Sequence, residues 1–226
     1  MGARTSLDSP DARPMPPLSS HAHSNMAAGM KDECDFYKAL CTIRGKDGKT
    51  KGIACAVDID GKKNEDEVVL VTWKGCTGEG KNSVKTVHRY SNAKTEKNAK
   101  DYQLEPSDNS CIKKGNVSLI RCACGSNKKG NDKWGVRLSP KYLKEEEQKK
   151  DFLVYTIDRD CCLPLTLKYH ESTHEHGLDI KEDQYANLVL QGAPIIESEK
   201  YFVGVLTEDE EGKVSPFFIT KRIFGE

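Results

Sequence analysis

From residue 35 onward the chain is a series of short apolar runs, each closed by a turn signal. Residues 36–44 are apolar and β-branched enough for a strand, and Gly45-Lys46-Asp47-Gly48 turns it. Residues 52–58 form the next run, followed by Asp60-Gly61. Residues 68–73 (Val-Val-Leu-Val-Thr-Trp) are almost continuously apolar, which predicts a strand buried on both faces. Residues 83–90 alternate, and 116–124 are another short run; the lysine-rich stretch 91–101 between them reads as a surface loop.

The second half keeps this rhythm. A strand is predicted over 134–138. Ser139-Pro140 then offers an N-cap and a first-turn proline for a charged helix reaching Lys150, with Glu145/Lys149 and Glu146/Lys150 spaced i,i+4. Strands follow over 152–157, 163–169, 185–190, 194–196, 201–206 and 214–219, and 220–224 suits a short terminal helix. Strands recurring about every ten residues predict an all-β fold, a sandwich or a pair of barrels.

Composition narrows the class more than the function. Lys+Arg and Asp+Glu are both 35 in 226 residues, so no global charge bias points to nucleic acid. The lysines at 94, 97, 100, 113, 114, 128, 129 and 133 lack interleaved aromatics and read as a solvated face. Nine cysteines is an odd number, without framework spacing and without an apolar leader in residues 1–30. The expectation is a reducing compartment: cytoplasmic or nuclear, not secreted.

Residues 1–33 have the composition of a disordered tail, with Pro10, Pro14, Pro16 and Pro17 among small and polar residues. Met1-Gly2-Ala3-Arg4-Thr5-Ser6 matches the N-myristoylation pattern at Gly2. Chance matches to so short a pattern are frequent, and one acyl chain gives only reversible membrane binding. A membrane partner is therefore expected only if Gly2 is acylated.

Three motifs carry a family resemblance. Val69-Leu70-Val71-Thr72-Trp73-Lys74-Gly75-Cys76, Gly115-Asn116-Val117-Ser118-Leu119-Ile120, and Gln191-Gly192-Ala193-Pro194 before Tyr201-Phe202-Val203-Gly204-Val205-Leu206 occur in that order. They resemble, respectively, the histidine strand, the aspartate strand and the nucleophile turn of chymotrypsin/trypsin-like serine proteases (peptidase S1, PA clan). The resemblance covers roughly residues 36–224. It implies two six-stranded antiparallel β-barrels, here over 34–130 and 131–226, with a short C-terminal helix and a cleft between the barrels.

It also implies that the machinery is absent. The three catalytic positions read Gly75, Asn116 and Gln191. Glycine has no side chain to act as base, and glutamine is neither nucleophilic nor titratable near neutral pH. The glycine of the oxyanion turn falls on Val189, a β-branched residue that disfavours positive φ. The resulting expectation is a pseudoprotease acting as an intracellular interaction or regulatory module, with a cleft at Gly75, Asn116, Val189, Gln191 and Gly192. A protein or peptide partner is expected, and no nucleic acid or cofactor.

Two alternatives remain open. One is an active serine-type endopeptidase with an unaligned triad, for which His88 is the displaced-base candidate; an edge-strand histidine is the commoner meaning of such a residue. The other is a zinc-binding module using Cys122, Cys124, Cys161, Cys162 or the His170, His174, His176 cluster. These supply only half of a usual zinc pattern, and buried thiols and solvated histidines are the commoner reading.

Overall fold

A computed structural model describes residues 39–45, 48–59, 67–77, 86–89, 103–104, 106–123, 136–158, 161–180, 188–198 and 200–224. The tail at 1–33 with Gly2, the loop at 91–101, Cys124 and Trp134 lie outside the described residues.

The chain is all-β. Seven strands build the first sheet: β1 (Leu40–Arg44), β2 (Thr50–Val57), β3 (Glu67–Trp73), β4 (Thr86–Arg89), β5 (Gln103–Leu104), β6 (Pro106–Lys114) and β7 (Val117–Ala123). They lie in the order β5-β4-β1-β2-β3-β7-β6, every pair antiparallel. Of these, β2 is buried along six consecutive positions from Gly52 to Val57. An unbroken apolar run produces this, because both faces of the strand must meet apolar neighbours.

The second sheet holds β8 (Ser139–Pro140), β9 (Phe152–Asp158), β10 (Cys161–His170), β11 (Glu175–Leu178), β12 (Leu188–Val189), β13 (Pro194–Glu197), β14 (Tyr201–Glu208) and β15 (Val214–Phe218). Its main path is β11-β10-β9-β13-β14-β15; β12 joins β9, and β8 runs parallel to β14. A four-residue helix, α1 (Lys221–Phe224), follows and buries Ile223.

One apolar core joins the sheets. Leu40, Ile53, Leu70 and Ile120 from the first and Ile195, Phe202 and Leu206 from the second are all within 1% of full burial. Backbone hydrogen bonds cross the junction. Leu138 donates to the Ala56 carbonyl and accepts from Asp58 (3.0 and 2.9 Å), and the Ile53 N–H donates to the Gln191 carbonyl at 2.8 Å.

The charged helix expected after Ser139-Pro140 does not form. Those two residues pair with Tyr201 and Phe202, and the Lys141 N–H donates to the Phe202 carbonyl at 2.9 Å. Only a 3-10 turn, Glu145–Gln148, remains, closed by the Lys144 N–H on Glu147 Oε2 at 2.8 Å. Lys150 reaches the buried Glu197 carboxylate. An i,i+4 pair on an exposed helix contributes only ~0.3–0.5 kcal/mol, less than tertiary pairing offers here. Three further strands, β5, β6 and β11, carry too few apolar residues to show in the hydrophobic pattern.

Candidate functional site

The residues placed in the cleft by their sequence motifs lie on the elements that join the two sheets. Gly75 sits in a 3-10 turn, Lys74–Thr77, directly after β3. The Thr77 hydroxyl donates to the Lys74 carbonyl (2.9 Å) and hydrogen-bonds the Ser118 hydroxyl on β7 (3.0 Å). Asn116 occupies the tight turn between β6 and β7, where its carbonyl accepts the Lys74 N–H at 3.0 Å. That bond sets Asn116 beside Gly75, although the two are 41 residues apart in sequence by their numbers.

The space above Gly75 is occupied. A Cβ on this residue would meet the Trp73 indole, with Cζ2 at 2.6 Å and two other ring carbons nearer still. The half-exposed ring thus lies where a side chain at position 75 would begin. Tryptophan two residues upstream is the sequence signal for this, but β3 alone does not say which way the ring folds.

Gln191 and Gly192 form the turn between β12 and β13. The Gly192 N–H donates to the Leu206 carbonyl (2.9 Å) and the Leu206 N–H to the Ala193 carbonyl (2.8 Å), so the turn is fastened to β14. Gly192 has φ +76°, and a Cβ there would overlap the Ile53 carbonyl oxygen and Thr72 Oγ1, with the Trp73 nitrogen at 3.3 Å. Both the left-handed backbone and the close approach of the first sheet require glycine. Thr72 Oγ1 itself donates to the Ile53 carbonyl at 2.6 Å.

The Gln191 side chain points to a carboxylate: its Nε2 donates to Glu208 Oε2 at 2.9 Å. Glu208 ends β14 and is half-buried. Val189 continues β12 in register with Ile157, and its carbonyl accepts the Thr156 hydroxyl at 2.6 Å. Among the described residues, positive φ outside glycine occurs at His174 and Ser198, not at Val189. The strand therefore reaches Gln191 without a left-handed residue, and the left-handed position of this turn is Gly192.

Cys76, one residue past Gly75, is buried. Burial pushes its thiol up to about 12; the Thr72 hydroxyl opposes this, and the Glu208 charge adds to it. Burial, with a smaller contribution from Cys162, raises the Cys55 thiol as well. Neither supplies a thiolate near neutral pH, which nucleophilic attack requires.

The other candidate ligands and bases are dispersed. His88 sits on β4 opposite Thr42, with two strands, β1 and β2, between it and β3. His170 ends β10, His174 lies in the following turn, and His176 on β11 stands opposite Tyr169. The His176 ring packs among Phe152, Tyr169 and Phe218 at 5.9, 5.1 and 5.5 Å between centroids. Among the described residues no three His, Cys, Asp or Glu side chains converge on one point. A concavity of about 610 Å³ opens between β11 and β15, lined by Tyr169, His174, His176, Lys213 and Phe218; Gly75, Asn116 and Gln191 take no part in it.

No family model matches the chain, and no curated protein matches it. Solved structures do. The human pathogenic astrovirus serine protease aligns at 14% identity with TM-score 0.51, covering 84% of this chain and 94% of that one. The scabies mite inactivated protease paralogue S-D1 aligns at 11% and 0.53, covering 80% and 86%. A Glu endopeptidase aligns at 9% and 0.50, covering 84% and 89%. At such identities the likeness establishes the fold, which is that of the chymotrypsin/trypsin-like serine proteases.

Proposed function

We propose that this chain is a catalytically inactive trypsin-like domain that serves as an interaction or regulatory module, with a protein or peptide as its partner. The observation that carries this reading is the Trp73 indole lying over Gly75, where the fold's general base would extend. The ring occupies the space in which a side chain at position 75 would begin. The amide at Gln191, held on Glu208, adds a nucleophile position that cannot attack or titrate. The scabies mite fold-mate is described as an inactivated protease paralogue, so this scaffold has a precedent for existing without activity. The odd cysteine count favours the cytoplasm as its setting. Acylation at Gly2 would add reversible membrane contact, visible as one myristoyl mass on the intact protein from eukaryotic cells.

The test is direct. Folded protein incubated with a fluorophosphonate probe is expected to remain unlabelled, and a quenched-peptide library is expected to remain uncut. Labelling that maps to a single serine, lost on unfolding, would overturn the proposal in favour of an unaligned triad.

A further inference from the structure

Ser139 and Pro140 do not start a helix, and their placement points to a different role. The sequence holds three Ser-Pro pairs, at 9–10, 139–140 and 215–216. The first lies outside the described residues. Ser215 is half-buried on β15, where its carbonyl accepts the Thr207 hydroxyl at 3.1 Å. Ser139 is exposed on the two-residue strand β8, and among the described residues its hydroxyl has no hydrogen-bond partner. Its segment is fastened on either side, by the Leu138 N–H on the Ala56 carbonyl (3.0 Å) and the Lys141 N–H on the Phe202 carbonyl (2.9 Å). Proline also holds the residue before it extended. A free hydroxyl therefore stands on an extended stretch with proline in the next position.

A cation is already placed for what such a hydroxyl could carry. Tyr201 is in register with Ser139 on one side and with Glu197 on the other. Registered residues on neighbouring strands project to one face, so the three side chains form a row across β8, β14 and β13. The Lys141 side chain starts two residues from Ser139 and crosses this row. Its ammonium is 5.9 Å from the Tyr201 ring centroid and 2.5 Å from Glu197 Oε2. Lys150 also reaches Glu197. Lys141 can thus be shared with a second anion without leaving the buried carboxylate uncompensated.

From these placements we infer that Ser139 is the phosphorylation site of a proline-directed protein kinase, and that Lys141 receives the phosphate. Ser139 Oγ attacks the γ-phosphorus of a nucleoside triphosphate. The new O–P bond forms as the β–γ bridging O–P bond breaks, the nucleoside diphosphate leaves, and the hydroxyl proton passes to the kinase's catalytic aspartate. The product adds a charge of about −1.5 to −2 and three acceptor oxygens at the root of the lysine. This site lies apart from Gly75, Asn116 and Gln191, and it holds whether or not the cleft is catalytically silent.

The test uses full-length protein carrying Ser9→Ala, Mg-ATP and a proline-directed kinase selected for phosphorylating a free peptide of residues 133–146. Peptide mapping is expected to place one phosphate at Ser139. Incorporation at Ser215, which must open locally to be reached, is expected to be at least roughly tenfold slower. Ser139→Ala and Pro140→Ala should each abolish the Ser139 signal. Phosphorus NMR then follows the phosphoserine in the native product, faced by Lys141, Tyr201, Glu197 and Lys150. Its second ionisation, near pH ~6 in a free peptide, is expected to fall by roughly half a pH unit and to return in Lys141→Gln, where Lys150 still pairs Glu197. A kinase that labels the peptide but not native Ser139 would overturn the site, as would failure of every proline-directed kinase on the peptide. Equal ionisation in the peptide, the native product and Lys141→Gln would overturn the lysine contact.

Discussion

Substituting alanine for Gly192 tests the junction between the sheets, and its cost can be assembled from the geometry. The residue has φ +76°, where an L-residue costs ~1–2 kcal/mol. Its new methyl would overlap the Ile53 carbonyl oxygen and Thr72 Oγ1, both on the buried face of the first sheet. Relief of such a clash by backbone movement typically costs ~1–3 kcal/mol. The movement also strains the Thr72-to-Ile53 hydrogen bond, now 2.6 Å, worth ~1 kcal/mol net. Together these predict a loss of about 3–6 kcal/mol, a large fraction of the ~5–15 kcal/mol that stabilises a typical domain. Gly48 supplies the control. It has φ +75° but open space around its would-be Cβ, so Gly48→Ala isolates the backbone contribution at ~1–2 kcal/mol. Urea unfolding followed by fluorescence, with thermal melts alongside, measures both variants. At ~2–4 °C per kcal/mol for a domain of this size, the extra ~2–4 kcal/mol should make Gly192→Ala melt at least ~4 °C below Gly48→Ala. Equal losses at the two sites would refute the claim that the turn at Gln191-Gly192 is packed directly against β2 and β3.

Other expectations concern charge and thiol chemistry. Burial alone would raise the Glu197 carboxyl, but its bonds to Lys141 and Lys150 outweigh that and hold it below the usual carboxylate range. A lowered folded-state value stabilises the protein above the unfolded carboxylate range and loses that contribution as pH falls through the folded value. Glu197→Gln should therefore cost about 1–2 kcal/mol at pH 7, discounted because both lysine ends stay in solvent, and the gap should close in strong acid; a gap independent of pH in denaturant melts would contradict this. For the cysteines, exposed Cys111 should react with a disulfide reagent at pH 8 in the native state, while Cys76, with its thiol pushed up to about 12, should react only on unfolding. Peptide mapping of the labelled protein decides it: native labelling at Cys76 before Cys111 would show that the turn after β3 is open.

Much of the architecture was legible because strand burial writes itself into the sequence as apolar runs. Residues 52–57 and 68–73 read as strands and became the centre of the first sheet; 52–57 is covered on both faces, whereas Val69 and Trp73 in 68–73 are only half-buried. Polar strands escaped this logic. β6 is an edge strand with Cys111, Ile112 and Lys113 exposed, and β11 lies in the histidine-rich segment; backbone pairing rather than burial makes them strands. The segment after Ser139-Pro140 misled for the opposite reason. Its local capping and charge pattern suits a helix, but pairing with β14 and the buried carboxylate of Glu197 outcompete those weak local terms.

The sequence by itself determined the apolar strands at the centre of each sheet and the identities Gly75, Asn116 and Gln191, because these are properties of the chain as written. It also bounded the chemistry, since no fold can give glycine a basic side chain or make a glutamine amide a nucleophile. Only the tertiary structure decided that Asn116 lies beside Gly75, that the Trp73 ring fills the space above it, and that Gln191 spends its amide on Glu208. Those facts depend on rotamers and on contacts between segments far apart in the chain. Linear spacing carries no information about either until the two sheets close on one another.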